Sequence, residues 1–181
     1  MIKSLYPQFM YWSGSGAVWI ISDTHFDAPD CKMYNPNWPT SEEYIAKVKP
    51  MIGKYDTLVH LGDVGNMKWM DKFDCHKVLI MGNHDPGAEV CEQYFNEVYN
   101  GPLFIADRIL LSHIPVFGLE DICLNIHGHS HDCPDDFEGH LNLASDNCDW
   151  LPFNLGKAIK NGLLSNYKNY NELYLENIRK L

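Results

Sequence analysis

Five short apolar runs in this chain each end in residues that can bind a metal. Residues 17–22 (AVWIIS) lead into Asp23-Thr24-His25, and residues 57–61 (TLVHL) into Gly62-Asp63. Residues 77–81 (KVLIM) precede Gly82-Asn83-His84-Asp85, and residues 108–112 (RILLS) precede His113. Residues 123–126 (CLNI) run through His127-Gly128 into His129-Ser130-His131. Runs of four to six residues rich in Val, Ile and Leu read as strands buried on both faces. In a sheet of such strands, ligands gather beyond the carboxyl ends. The pattern therefore predicts one sheet edge that collects donors from five loops. A glycine directly precedes Asp63, Asn83 and His129, as a sharp turn with close backbone approach requires.

Helical segments separate the strands, so the fold class is α/β. Thr40 and Glu43 have capping-box spacing, Tyr44, Ile45, Val48 and Ile52 form a stripe, Pro50 shortens the segment and Gly53 stops it. Residues 88–99 read as a second helix with Val90, Tyr94, Phe95 and Val98 on one face, and residues 163–181 as a third. With 181 residues and no linker or repeat, residues 1–181 are expected to form a single domain with its own core.

The formal net charge of -10 excludes a general nucleic-acid or membrane-surface binder, which needs a basic face, and suits a protein that holds cations. Six scattered cysteines, with no C-x-x-C pair, read as free thiols of a reducing cytosol. The first residues lack the apolar core of a signal peptide, and no run is long enough to span a bilayer. A cytoplasmic location is the resulting expectation.

The candidate ligands are Asp23, His25, Asp63, Asn83, His113, His129 and His131. They offer imidazole, carboxylate and amide oxygen but no thiolate, which favours Mn, with Fe, Zn or Ni as alternatives. The set is too large for one tetrahedral ion and suits two divalent ions sharing a carboxylate, with positions left for water and substrate. His127 and His60 read as packing residues, whereas His76 has no assigned role and His140 is a candidate substrate contact. Asp132, Asp135, Asp136 and Glu138 lack EF-hand spacing and read as a solvated loop. Trp38 and residues 67–70 are candidate walls of a substrate cleft.

As a set, Asp23-x-His25, Gly62-Asp63, Gly82-Asn83-His84-Asp85, His113 and Gly128-His129-x-His131 resemble the motifs of the calcineurin-like metallophosphoesterases. The match runs in order over residues 18–131, and residues 142–146 resemble the family's closing strand. The resemblance implies a four-layer αββα sandwich of two mixed β-sheets flanked by helices. It implies that Asp23, His25 and His131 bind one metal, Asn83, His113 and His129 the other, and that Asp63 bridges them. His84 would orient a phosphoryl oxygen or protonate the leaving alkoxide, with Asp85 orienting His84. A metal-bridging hydroxide would be the nucleophile.

Departures from subfamily patterns narrow the substrate. Val64-Gly65-Asn66 follows Asp63, and the third motif ends in Asp85, unlike the V-D-R-G and G-N-H-E of the serine/threonine protein phosphatases. Asn66 stands where purple acid phosphatases carry a tyrosine ligand. The chain has no room for the capping region of the family's double-strand-break nucleases. What remains resembles the small, cap-free bacterial and phage members. The expected activity is therefore a phosphodiesterase on a small or nucleotide-type phosphoester. Phosphomonoesterase activity at the same site is the alternative, and a non-catalytic metal-binding scaffold, which is free to lose ligands, is disfavoured by the complete set. The oligomeric state is not legible in the sequence.

Overall fold

The computed structural model describes residues 3–4, 8–131, 133 and 138–167. In chain order the strands are β1 (Lys3–Ser4), β2 (Val18–Ile21), β3 (Thr57–His60), β4 (His76–Ile80), β5 (Glu97–Tyr99), β6 (Leu103–Ala106), β7 (Ile109–Leu111), β8 (Leu124–His127), β9 (His140–Asn142) and β10 (Phe153–Asn154). The helices are α1 (Gln8–Trp12), α2 (Cys31–Tyr34), α3 (Ser41–Val48), α4 (Ala88–Cys91) and α5 (Leu155–Lys160). Two five-stranded sheets result, ordered β1-β6-β7-β8-β9 and β10-β2-β3-β4-β5. Both are mixed: β6–β7 and β10–β2 are antiparallel, and the other pairs are parallel. This is the α/β sandwich that the motif resemblance implies.

The alternation of side chains along each strand explains why the runs are continuously apolar. Ile20, Val59, Leu61, Val78 and Ile80 face a core shared with Leu103, Ile105, Ile109, Leu111, Leu124 and Ile126 of the other sheet. Their neighbours Ile21, Leu58 and Leu79 face the opposite way, against Tyr44, Ile45 and Val48 of α3 and against Met67 and Met70. Each of these strands thus feeds two cores. Trp12 of α1 and Leu155 of α5 join the core between the sheets.

Helix α3 starts on the expected capping box: the Glu43 amide donates to Thr40 Oγ1 (3.2 Å), and Glu43 accepts from the Thr40 amide (2.8 Å). A cap of this kind contributes about 1 kcal/mol. Pro50 lies in a 3-10 turn, Lys49–Met51, that ends the segment.

Residues 88–99 do not form the expected single helix. Only Ala88–Cys91 is helical, and Glu97–Tyr99 is the edge strand β5, with Val78 opposite Glu97. The side chain of Asn96 accepts from the Lys77 amide (2.8 Å) and starts that pairing. Asn142 ends β9, and Ser145–Cys148 is a 3-10 turn where a strand was expected. Residues 163–167 form turns after α5; residues 168–181, like Asp132, Asp135 and Asp136, lie outside the described residues. Met67 and Met70 are core residues and do not wall a cleft. All six cysteines are free thiols. Among the described residues, no helix is long and apolar enough to cross a membrane.

Candidate metal centre

The carboxyl ends of β2, β3 and β4 open at one edge, and their parallel ladder continues into the loops beyond. The Asp23 amide donates to Gly62 O (3.0 Å), His25 N to Asp63 O (3.1 Å) and Phe26 N to Val64 O (2.9 Å). From the other sheet, the loops after β7 and β8 are joined by Gly128 N donating to His113 O (3.0 Å). This network draws the donors into two clusters, Asp23–His25–His131 and Asp63–His113–His129, each with its ligand atoms within 4.8 Å of one another. Asn83 Oδ1 approaches the second cluster, 2.9 Å from His113 Nε2. Asp63 Oδ2 lies between the clusters, 3.9 Å from His25 Nε2 and 3.4 Å from His113 Nε2. All seven residues singled out in the sequence converge here.

The backbone is strained to achieve this. Asp23, His25, Asp63 and His129 all have positive φ, between 43° and 69°, a region that side chains other than glycine rarely adopt and that surrounding structure must enforce. Two of the glycines are explained by the same crowding. A Cβ on Gly82 would strike the Asp63 carboxylate, and one on Gly128 would strike the side chains of Ser22 and Asp23.

Hydrogen bonds fix the imidazole tautomers. His113 Nδ1 lies 2.8 Å from the carbonyl oxygen of Leu61, and His131 Nδ1 lies 2.8 Å from Asp146 Oδ1. Both partners only accept, so both Nδ1 atoms carry hydrogen and both Nε2 atoms point into the clusters as potential donors to a cation. There His131 Nε2 meets His25 Nε2 at 3.3 Å and Asp23 Oδ1 at 3.5 Å.

Asp23 provides the test of whether a cation fits. Its Oδ2 accepts from Ser22 Oγ and from the His129 amide, whereas its fully buried Oδ1 has no hydrogen-bond partner. A buried carboxylate oxygen without a donor is costly. Burial pushes this carboxyl up to about 6, against the pull of His113, Ser22, His129 and His131. Asp63 goes the other way: burial raises it, but the hydrogen bond with His113, the His84 amide and the nearby imidazoles prevail and set it at about 2. Asp146 holds His131 above the ordinary histidine value against its burial, while burial and neighbouring imidazoles lower His25 and His129. Converging lone pairs and an unsatisfied carboxylate suit divalent cations.

His84 is exposed at the cluster, its backbone amide donating to Asp63 Oδ1 (2.9 Å). The expected pairing of Asp85 with the His84 ring gives way to a different arrangement. The Asp85 carboxylate accepts from the amides of Asp63 (3.0 Å), Val64 (2.9 Å) and Gly82 (2.8 Å). Three amides converging on one short side chain leave its oxygens directed at the backbone, so Asp85 ties two ligand loops together. His60, buried and lowered to about 3 by desolvation, bonds Thr24 Oγ1 (2.9 Å) and accepts from the Gly62 amide (3.1 Å). His127 Nδ1 contacts Gly128 O, His140 lies 3.6 Å from Glu120, and His76 pairs with Glu97 at 2.6 Å.

Sequence reasoning missed Asp146 and Ser22. Ser22 adjoins a ligand, which is a usable signal; Asp146 comes from an irregular turn fifteen residues past its partner, and nothing local marks it. Trp38 was foreseen as a wall. Its ring lies against those of His25 (6.0 Å), His131 (5.7 Å) and Trp150 (6.0 Å), beside a cleft of about 640 Å³ over both clusters.

The chain is similar to solved structures of other proteins. A crystal structure of a protein of unknown function from Aquifex aeolicus superposes with a TM-score of 0.66 at 26% identity, covering 80% of this chain and 98% of that one. A nuclease from Pseudomonas putida gives a TM-score of 0.47 at 20% identity, over 63% of this chain and 61% of its own. None of the curated proteins matches the chain in sequence. The calcineurin-like phosphoesterase profile matches residues 16–176, which contain every ligand loop described above. The chain therefore belongs to the calcineurin-like phosphoesterase family, metal-dependent hydrolases of phosphoric esters.

Proposed function

We propose that residues 1–181 act as one catalytic domain that hydrolyses a small or nucleotide-type phosphodiester. In this reading Asp23, His25 and His131 hold one divalent ion, Asn83, His113 and His129 hold a second, and Asp63 bridges them. The observation that carries it is the position of Asp63 Oδ2 within 3.9 Å of an imidazole from each cluster, on the floor of one cleft. Manganese is favoured because the donors are oxygen and imidazole without thiolate. When bound, the ions supply an activated water at neutral pH and neutralise charge developing on the phosphoryl group.

The chain's own residues do the rest. His84 lines the cleft and is the group free to protonate the leaving alkoxide, a contribution on the order of 10²–10⁴ in rate. Asp85 keeps the loops of Asp63 and His84 in register through the backbone amides it accepts from. A diester is favoured over a monoester because, among the described residues, none lining the cleft is Lys or Arg. Free thiols throughout favour the cytoplasm.

The test is hydrolysis of bis-p-nitrophenyl phosphate and p-nitrophenyl phosphate by metal-stripped protein, with and without Mn²⁺. Manganese-dependent cleavage with preference for the diester is expected. Preference for the monoester moves the substrate class to phosphatase, and inactivity on both with metal bound rejects the catalytic reading.

A further inference from the structure

The wall of the cleft beside the metal clusters carries a different chemistry from its floor. It is built by α2 and the segment after it, with Cys31, Tyr34, Asn35 and Trp38 facing the opening. Trp38 is 8% exposed and wedged among rings, whereas Tyr34 is 82% exposed on the same wall. The segment is anchored on both sides. Asp27 accepts from Ser41 Oγ (2.7 Å), Asn66 Nδ2 (2.7 Å) and Trp69 Nε1 (2.8 Å), and the Asn37 amide donates to Asn35 Oδ1 (3.0 Å). A flat aromatic ring left in solvent on an anchored wall is a stacking surface for another flat group.

Charge limits what else that group can carry. The charged side chains of the cleft outside the ligand clusters are Asp30 and Asp146, and among the described residues Lys32 lines only an adjoining recess of about 230 Å³. A nucleic-acid strand or a polyphosphate places further anions beside the reacting phosphorus and needs a basic track for them. This cleft offers the exposed carboxylate of Asp30 and, among the described residues, no Lys or Arg in its lining. Its volume of about 640 Å³ is the size of a site for one small ligand.

We propose that the cleft selects a phosphodiester with a single negative charge whose retained ester group is a flat, uncharged nucleoside laid against Tyr34. This rests on the phosphodiesterase reading and adds to it a specificity residue and a charge limit.

Three esters with a common leaving group test it on the manganese-loaded full chain: methyl p-nitrophenyl phosphate, thymidine 5′-(p-nitrophenyl phosphate), and the latter with a 3′-phosphate. The thymidine ester is expected to exceed the methyl ester in kcat/KM by about tenfold through KM, and the 3′-phosphate to remove that advantage. Tyr34→Ala raises KM for the thymidine ester about tenfold with little change in kcat, and Tyr34→Phe restores it. In metal-free protein, thymidine alone quenches the intrinsic fluorescence saturably, and Tyr34→Ala abolishes the effect. Equal kinetics for the methyl and thymidine esters, unmoved by Tyr34→Ala, overturn the proposal and leave the phosphodiesterase standing. Faster cleavage with the 3′-phosphate overturns the charge limit in favour of a polynucleotide substrate. If no diester is cleaved, the activity reading fails, and the fluorescence titration alone decides the stacking role of Tyr34.

Discussion

The two ligand clusters contain the same kinds of side chain but hold their carboxylates in opposite ways. Asp23 and Asp63 are both almost inaccessible to solvent, at 0% and 2%. Asp63 lines the cleft and takes a backbone amide and two nearby imidazoles; Asp23 lies beneath it with one oxygen unpartnered. One carboxyl is accordingly set at about 2 and the other pushed up to about 6. Exposure alone does not separate them; depth and the donors around each oxygen do. The protein's own donors offset the charge of Asp63, whereas one oxygen of Asp23 is left without a hydrogen bond.

The largest expected effect breaks the comparison outright. If Asp63 serves both clusters, Asp63→Ala loses both ions and lowers turnover by more than about 10³-fold. Elemental analysis of the purified variant, alongside the rate on a chromogenic diester, checks this. Retention of both ions would make the two clusters independent and end the bridging assignment.

The sequence marks the strands and the candidate ligands far better than the support behind them. Strands β2, β3, β4, β7 and β8 are legible because burial on both faces demands a continuous apolar run, and each run ends where a ligand begins. The candidate ligands are legible because imidazole, carboxylate or amide side chains follow each of the five runs. Residues 88–99 mislead because a helical stripe of Val90, Tyr94, Phe95 and Val98 also places Val98 inward in a three-residue strand. That conflict is settled by distant partners. Gln8, Trp12, His76 and Tyr99 all bond the Glu97 carboxylate, and β4 pairs with its backbone. The support behind the ligands is illegible for the same reason: Asp146 and the amides that hold Asp85 meet their partners only in three dimensions.

A smaller effect sharpens the contrast between the carboxylates. Asp23 has a folded pKa of about 6, above its ordinary 3.8. The native state therefore keeps a proton that the unfolded chain releases between those values. The stability this contributes is fully present below pH 3.8 and lost as pH rises through 6, a change on the order of 3 kcal/mol. Urea unfolding of metal-free protein at pH 4.5 and pH 7 is expected to show it, and Asp23→Asn to flatten it. Added Mn²⁺ should stabilise the wild type more at pH 7 than at pH 4.5. Parallel pH profiles for wild type and variant would mean that Asp23 is satisfied without a cation.

The smallest effect falls on one cluster alone. Asp146 accepts from His131 Nδ1 at 2.8 Å, which orients the ring, fixes the tautomer and raises the basicity of Nε2. No equivalent carboxylate backs His113, whose Nδ1 faces the carbonyl oxygen of Leu61. Asp146→Asn keeps an acceptor of nearly the same shape and removes the charge. Metal affinity should therefore fall by about tenfold, the low end of what loss of such a partner costs. Because the carboxylate bonds a histidine of the Asp23 cluster, a competitive metal titration should resolve two affinities in the variant, with only one displaced from wild type. Displacement of both would mean that the bridging carboxylate couples the clusters so tightly that the ions bind as one unit. Displacement of neither would mean that packing against Trp38, and not the charge of Asp146, holds the His131 ring.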